Sequence, residues 1–179
     1  MVSRKSQTVV ALNAKLSNVD LQTIPYNGTT YFAEGMPVKF GPGGVAAAPT
    51  GGSTSFEPIY INFVDSNRTD VIDVQGDAFN KELPALKLGG SGHLTGIRGS
   101  GIDVGLPAAS WHSGALPAIG QGVFVNGTSK KFDAKTVASA AVGTAQDLFY
   151  GIVERVTNQR AYFCFTTRPV MAVSVDTHA

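Results

Sequence analysis

Three histidines, one cysteine and a scatter of serines and aspartates are the side chains of this 179-residue chain with the chemistry to hold a metal or attack a carbonyl. His93 sits among glycines, His112 follows the only tryptophan, and His178 is one residue from the last. None of them has a histidine or carboxylate at the i+3 or i+4 spacing that a zinc-binding helix uses, so no metal ligand is expected. Ser91 or Ser113 together with His112 and Asp103 supplies the residue types of a serine hydrolase. A nucleophilic serine of that kind needs a sharp strand-to-helix turn such as Gly-x-Ser-x-Gly, and that pattern is missing. Cys164, between Phe163 and Phe165, reads as a buried structural thiol, with a nucleophile as the sharper alternative. A single cysteine excludes an internal disulfide and a cysteine zinc cluster. Gly99-Ser100-Gly101 runs into Ile102-Asp103-Val104-Gly105-Leu106-Pro107, which is no helix, so it lacks the N-terminal amides that cradle a phosphate. Lys130-Lys131 is followed by Asp133 and sits in no basic stripe, which makes it a solvated hairpin tip rather than a nucleic-acid contact. These residues give no catalytic, cofactor-binding or metal assignment, and the chain is expected to be no enzyme.

Charged residues make up 15% of the chain, net charge is +1, and glycine is abundant at 21. Low charge with many glycines predicts a turn-rich β protein, with much of its surface covered by neighbours. Near-neutrality supplies no global field toward nucleic acid or an anionic membrane. No apolar run approaches transmembrane length, and Met1 to Gln7 has no hydrophobic region behind it, so no signal peptide is expected. Asn27-Gly28-Thr29, Asn67-Arg68-Thr69 and Asn126-Gly127-Thr128 fit the glycosylation pattern and are read as turns.

The elements that would position these residues are strands. Gly120 to Val125 is an apolar strand that ends on Asn126-Gly127, a strong turn signal. A small-residue segment from Ala134 to Ala145 follows, then a strand from Leu148 to Val156, a break at Thr157-Asn158-Gln159, and a strand from Arg160 to Thr166. Earlier, Thr29 to Phe32 and Met36 to Phe40 read as short strands. Glu57 to Val64 is a strand with Ile59, Ile61 and Phe63 on one face, and Val71 to Val74 is its hairpin partner. Residues 1–24 read as an extended N-terminal arm, with Val10, Leu12, Ala14 and Leu16 on one face, ahead of a single domain over 25–179. Within that domain, residues 77–117 form an irregular Gly-rich insertion holding short strands at Leu94 to Ile97 and Ile102 to Val104. Trp111 is either a core anchor or a contact surface. The fold class is all-β: a small β-barrel or β-sandwich-like domain with an arm and an insertion.

The two halves echo one another. Gly35-Met36-Pro37-Val38-Lys39-Phe40 matches Gly120-Gln121-Gly122-Val123-Phe124-Val125, each followed by an alanine-rich segment and a strand opening on Tyr60 or Tyr150. Two such units sharing one barrel-like core is the physical meaning of that echo.

The run from Gly122-Val123-Phe124-Val125 through Ala138-Ser139-Ala140-Ala141-Val142-Gly143 to Tyr150-Gly151-Ile152-Val153 resembles the head decoration, or cement, proteins of tailed bacteriophages. The resemblance covers the last third of the chain and, loosely, the first third. It implies a non-enzymatic virion structural protein, made in the host cytoplasm, that binds the outer surface of the assembled head and stabilises capsomer contacts. Its implied partners are the major capsid protein and copies of itself in a homotrimer, with no direct nucleic acid, no membrane and no cofactor. The alternatives are another virion component (a tail, neck or fibre-base protein) and a small β-barrel ligand-binding module or hydrolase.

Overall fold

A computed structural model describes residues 10–11, 21–28, 30–63, 92–137 and 147–171. Their strands are β1 (Val10–Ala11), β2 (Leu21–Tyr26), β3 (Pro37–Phe40), β4 (Ala46–Ala47), β5 (Tyr60–Asn62), β6 (Gly92–Ile97), β7 (Ser100–Pro107), β8 (Gln121–Val125), β9 (Phe132–Thr136), β10 (Leu148–Phe149), β11 (Val153–Val156), β12 (Arg160–Thr166) and β13 (Val170–Met171). Helix is limited, among the described residues, to 3-10 turns at Pro42–Gly44 and Ala108–Ser110. The fold is all-β.

Period-two alternation sets the faces. In β12, Ala161, Phe163 and Phe165 are fully buried, while Tyr162 and Cys164 point to the other side. Ile102, Val104 and Leu106 of β7 alternate in the same way. That parity corrects the expectation for Cys164. It is half-buried, because the two phenylalanines beside it take the inward positions.

The echo between the halves is a structural repeat. The first unit is a five-stranded antiparallel sheet in the order β2-β6-β5-β3-β4. In the second, β7-β12-β11 continues into β8 through the Gly122–Ile152 bridge, and β8 pairs with β9. Both units therefore place their first, fifth, fourth, second and third strands side by side, leaving out the short β10. Local detail repeats too. Gly35 and Gly120, with φ of 84° and 85°, occupy the left-handed region that glycine tolerates. They donate N–H to the carbonyls of Asn62 (2.7 Å) and Val153 (2.7 Å) respectively. In each preceding turn the strand-opening side chain bonds back to an alanine N–H: Ala33 to Met36 Sδ at 3.3 Å, Ala118 to Gln121 Oε1 at 2.9 Å. The register places Pro37 opposite Ile61 and Gly122 opposite Ile152, so the halves align one residue away from the tyrosine match.

One large core joins the units. Ile59, Ile61 and Ile97 of the first pack with Ile102, Val104, Leu106, Trp111, Val123, Phe132, Phe163 and Phe165 of the second. A smaller cluster of Ile24, Tyr26, Phe32, Val38, Ala46 and Leu94 belongs to the first unit alone. Trp111 is a core anchor: its ring lies 5.9 Å from that of Phe163, and its indole N–H donates to the Leu106 carbonyl at 3.4 Å.

The described part of the expected insertion, residues 92–117, is not irregular up to Pro107. It supplies β6 and β7, both interior to their sheets and joined through only Arg98 and Gly99. Its glycines mark close approach rather than looseness. A Cβ on Gly105 would enter the Tyr162 ring, and one on Gly99 would enter the Phe165 ring and stand 2.6 Å from the Phe165 carbonyl oxygen. The remainder of the insertion, and Val71 to Val74, lie outside the described residues.

Three further boundaries differ from expectation. Thr30 to Phe32 is not a strand; the chain turns there and drives Phe32 into the smaller cluster, edge-on to Tyr26. The strand expected from Leu148 to Val156 breaks at Gly151, where a Cβ would meet the Cys164 carbonyl oxygen at 2.5 Å. On either side of that break β10 pairs with β13 and β11 with β12. Leu21 to Ile24, assigned to the arm, already belong to β2 and to the first sheet.

The outer edges of the two equivalent first strands are treated differently. β7 receives β1, with Val10 opposite Gly105 and Ala11 opposite Val104. On β2, the bond from Phe63 N–H to the Thr95 carbonyl (2.8 Å) shows that Thr95 faces β5, so its partner Thr23 faces outward, and Pro25 with it. A proline at such a position has no N–H to offer a further strand, and the Gln22 amide takes the Thr23 carbonyl at 3.0 Å.

Gly99→Ala should lower unfolding free energy by about 1–3 kcal/mol through steric overlap, and Trp111→Ala by about 3–5 kcal/mol through cavity formation. Urea denaturation of each variant measures both.

Candidate functional site

The densest polar construction among the described residues lies where the β4–β5 loop of the first unit meets the β8–β9 hairpin of the second. Glu57 organises the loop. One carboxylate oxygen pairs with Lys39 of β3, and the other accepts the N–H groups of Thr50 (2.8 Å) and Gly51 (3.3 Å). Burial alone would raise this carboxyl, but the bonds from Lys39, Thr50 and Gly51 outweigh it and hold the pKa below the usual carboxylate range. Tyr150 donates its hydroxyl to the Glu57 carbonyl at 2.8 Å; burial and the Glu57 charge push its phenol far upward.

The loop then seats on the hairpin. Gly52 N–H donates to the Val125 carbonyl at 2.7 Å, and Lys130 Nζ donates to the Thr50 carbonyl at 3.0 Å. Gly51 passes so close to the hairpin that a Cβ there would stand 2.8 Å from Gly127 Cα. Beside it, Lys135 Nζ donates to Ser53 Oγ (2.8 Å) and to Asp147 Oδ1, and Ser53 Oγ donates to the same carboxylate oxygen at 2.7 Å. The bonds from Lys135 and Ser53 lower the Asp147 pKa.

A serine hydroxyl beside a lysine amine has the parts of a nucleophile and its base, but such a dyad needs a neutral amine. Here the Lys135 nitrogen is tied into an ion pair with Asp147 as well as the bond to Ser53. The geometry is that of a latch between units, and the Asn126 side chain secures the hairpin behind it: Oδ1 accepts the N–H groups of Thr128 (2.9 Å) and Ser129 (3.0 Å), while Nδ2 donates to Asp133 at 3.1 Å. The Asn126–Gly127 turn is therefore real, although it is longer than a two-residue hairpin loop.

The residues singled out from sequence are dispersed. His93 is exposed near the start of β6, and His112 is exposed beyond β7, its backbone N–H donating to the Phe132 carbonyl at 2.7 Å. Ser113 Oγ serves a local turn with the N–H and carbonyl of Ala115, both at 3.2 Å. Asp103 stands opposite Cys164 in the β7–β12 ladder. Burial, followed by the charges of Asp103 and Glu154, pushes the Cys164 thiol upward, away from the reactive thiolate. Ser91 and His178 lie outside the described residues. Among the described residues no group of three or more His, Cys, Asp or Glu could hold a metal ion. A shallow groove of about 210 Å³ runs beside β9, lined by Trp111, Leu116, Pro117, Gln121 and Asp133 among others.

Sequence reading missed Ser53, Lys135 and Asp147. The contacts of Ser53 with the other two span 82 and 94 positions, and no local motif marks them. Comparison with protein-family models, with curated proteins and with solved structures finds no match for this chain.

Glu57 and Asp147 have folded pKa values below their unfolded ones. Their contribution is complete above the unfolded values, from about pH 5 upward, and is lost as pH falls through the folded values. Glu57→Gln and Asp147→Asn should flatten the acid limb of a stability–pH profile, each costing about 1 kcal/mol or less at pH 7. At pH 8, iodoacetamide should label Cys164 more slowly in the native protein than in urea. Faster native labelling would revive the nucleophile reading.

Proposed function

We propose that this chain is a non-enzymatic structural protein of a tailed-bacteriophage virion, a decoration protein that binds the outside of the assembled head and stabilises contacts between capsomers. The observation that carries the reading is the pairing of β1 with β7. Residues 10–11 of the expected arm attach by main-chain strand addition, the chemistry by which an arm secures itself to a sheet edge regardless of side chains. Two further features support it. Strongly bonded polar groups such as Glu57, Lys135 and Asp147 serve to fasten loops. Large apolar side chains remain exposed, including Phe56 and Ile119 at 65% each, as a surface that adheres would require. Assembly on a symmetric shell multiplies modest contacts into avidity. The implied partners are the major capsid protein and further copies of this chain.

Co-sedimentation of the full chain with empty shells of the major capsid protein from the same phage tests the reading. Saturable binding at a fixed copy number is expected, and deleting residues 1–20 should weaken it by about tenfold or more while the far-ultraviolet spectrum stays that of a β protein. Absence of binding to the shell would refute the decoration role. Electron microscopy placing the chain at the tail or neck would replace it with the other virion reading.

A further inference from the structure

Residues 50–58, between β4 and β5, are held in place by polar bonds. Pro49 and Ile59 on either side are buried, but no residue from Thr50 to Pro58 is. Phe56, the one aromatic side chain in the run, is 65% exposed. The far end is anchored firmly, since Ile59 N–H donates to the Thr167 carbonyl at 2.9 Å. Between these ends the side-chain bonds converge on two carboxylates. Glu57 takes Lys39 and the N–H groups of Thr50 and Gly51, closing the run on itself. Asp147, from the second unit, takes Ser53 Oγ and Lys135. Further bonds to the second unit are single. Gly52 N–H reaches the Val125 carbonyl, Leu148 N–H reaches the Ser53 carbonyl at 2.6 Å, Lys130 holds the Thr50 carbonyl, and the Tyr150 hydroxyl holds that of Glu57.

We infer that residues 50–58 are an acid-released strap across the seam between the two units. It is seated while Glu57 and Asp147 are ionised, and it lifts as one piece, hinged at Pro49 and Ile59, when both gain protons. A segment that buries no apolar side chain opens at low cost and independently of global unfolding. The core beneath it, around Trp111 and Phe163, is apolar, so acid does not act on that core directly. Facing the two carboxylates are Lys39 of β3, Lys130 of the hairpin tip, Lys135 of β9 and the Tyr150 phenol. Amines and phenols keep one charge state from about pH 7 down to pH 3, so the change comes from the carboxylates. Asp133, the other carboxylate on the hairpin, turns its oxygens to Asn126 Nδ2 and the Ala134 N–H and not to the strap. The bonds on Glu57 and Asp147 hold both below the usual carboxylate range, which puts release below about pH 4. Protonation then removes both ion pairs and bares the Tyr150 hydroxyl and the Val125 carbonyl.

Release needs no partner and is read on the purified full chain. In amide spectra recorded from about pH 7 down to pH 3, the Thr50, Gly51 and Gly52 signals should leave their folded positions while the Trp111 indole signal stays native. At neutral pH, Glu57→Gln combined with Asp147→Asn imitates the protonated pair. Thermolysin, which cuts before phenylalanine when the chain can extend into its cleft, then reports opening at Ser55–Phe56. The double variant should be cut there about tenfold faster than wild type, because cleavage of an opened segment tracks its population. Gly99→Ala, which weakens the core instead, should be cut there at the wild-type rate. Strap signals that move only together with the Trp111 signal would overturn the inference. So would a double variant cut no faster than wild type, or a Gly99→Ala variant in which the same cut accelerates as much.

Discussion

The ring of Phe163 is the contact on which the rest of the architecture depends. It lies 5.9 Å from Trp111, 5.9 Å from Phe132 and 6.1 Å from Phe165, at tilted or edge-on angles that aromatic quadrupoles favour. Trp111 follows the 3-10 turn after β7, Phe132 comes from β9 and Phe165 from β12 itself, so one side chain ties the second unit's sheet to its own hairpin. The same ring reaches across to Gly151, where a Cβ would stand 2.9 Å from it, at the point where the strand changes partners. With Ile59, Ile61 and Ile97 in the same cluster, apolar burial packs the first unit against this centre.

Polar groups in this molecule mostly secure geometry that the core has already chosen. Glu57 gathers a lysine and two backbone amides, and Asp147 gathers a lysine and a serine. Both keep partial solvent contact, so their value lies in fixing a loop position more than in bulk stability.

Strand identity was legible wherever alternation was strong. Arg160 to Thr166 and Gln121 to Val125 carry apolar residues at every second position, and both are strands with those residues inward. Glycine misled. Gly99 and Gly105 read as punctuation in a loose insertion, yet they are sites where neighbouring rings leave no room for a side chain. Composition cannot distinguish a glycine needed for flexibility from one needed for proximity, because the distinction depends on a residue far along the chain, Phe165 for Gly99 and Tyr162 for Gly105. The same limit hid the meeting of Ser53, Lys135 and Asp147. The repeat was visible as a glycine followed by alternation, but its strongest signature, the back-bond of Met36 or Gln121 to an alanine amide, uses different side chains and has no common letter.

The passage from β6 to β7 through Arg98 and Gly99 makes the encounter of the two repeats unimolecular. Separate half-length polypeptides would find each other only by diffusion, and their stability would fall on dilution as mass action requires. A short covalent tether instead holds one repeat at high effective concentration beside the other. The paired state of the fused chain therefore persists at arbitrarily low abundance, and each half is free to accumulate different surface residues without losing its mate.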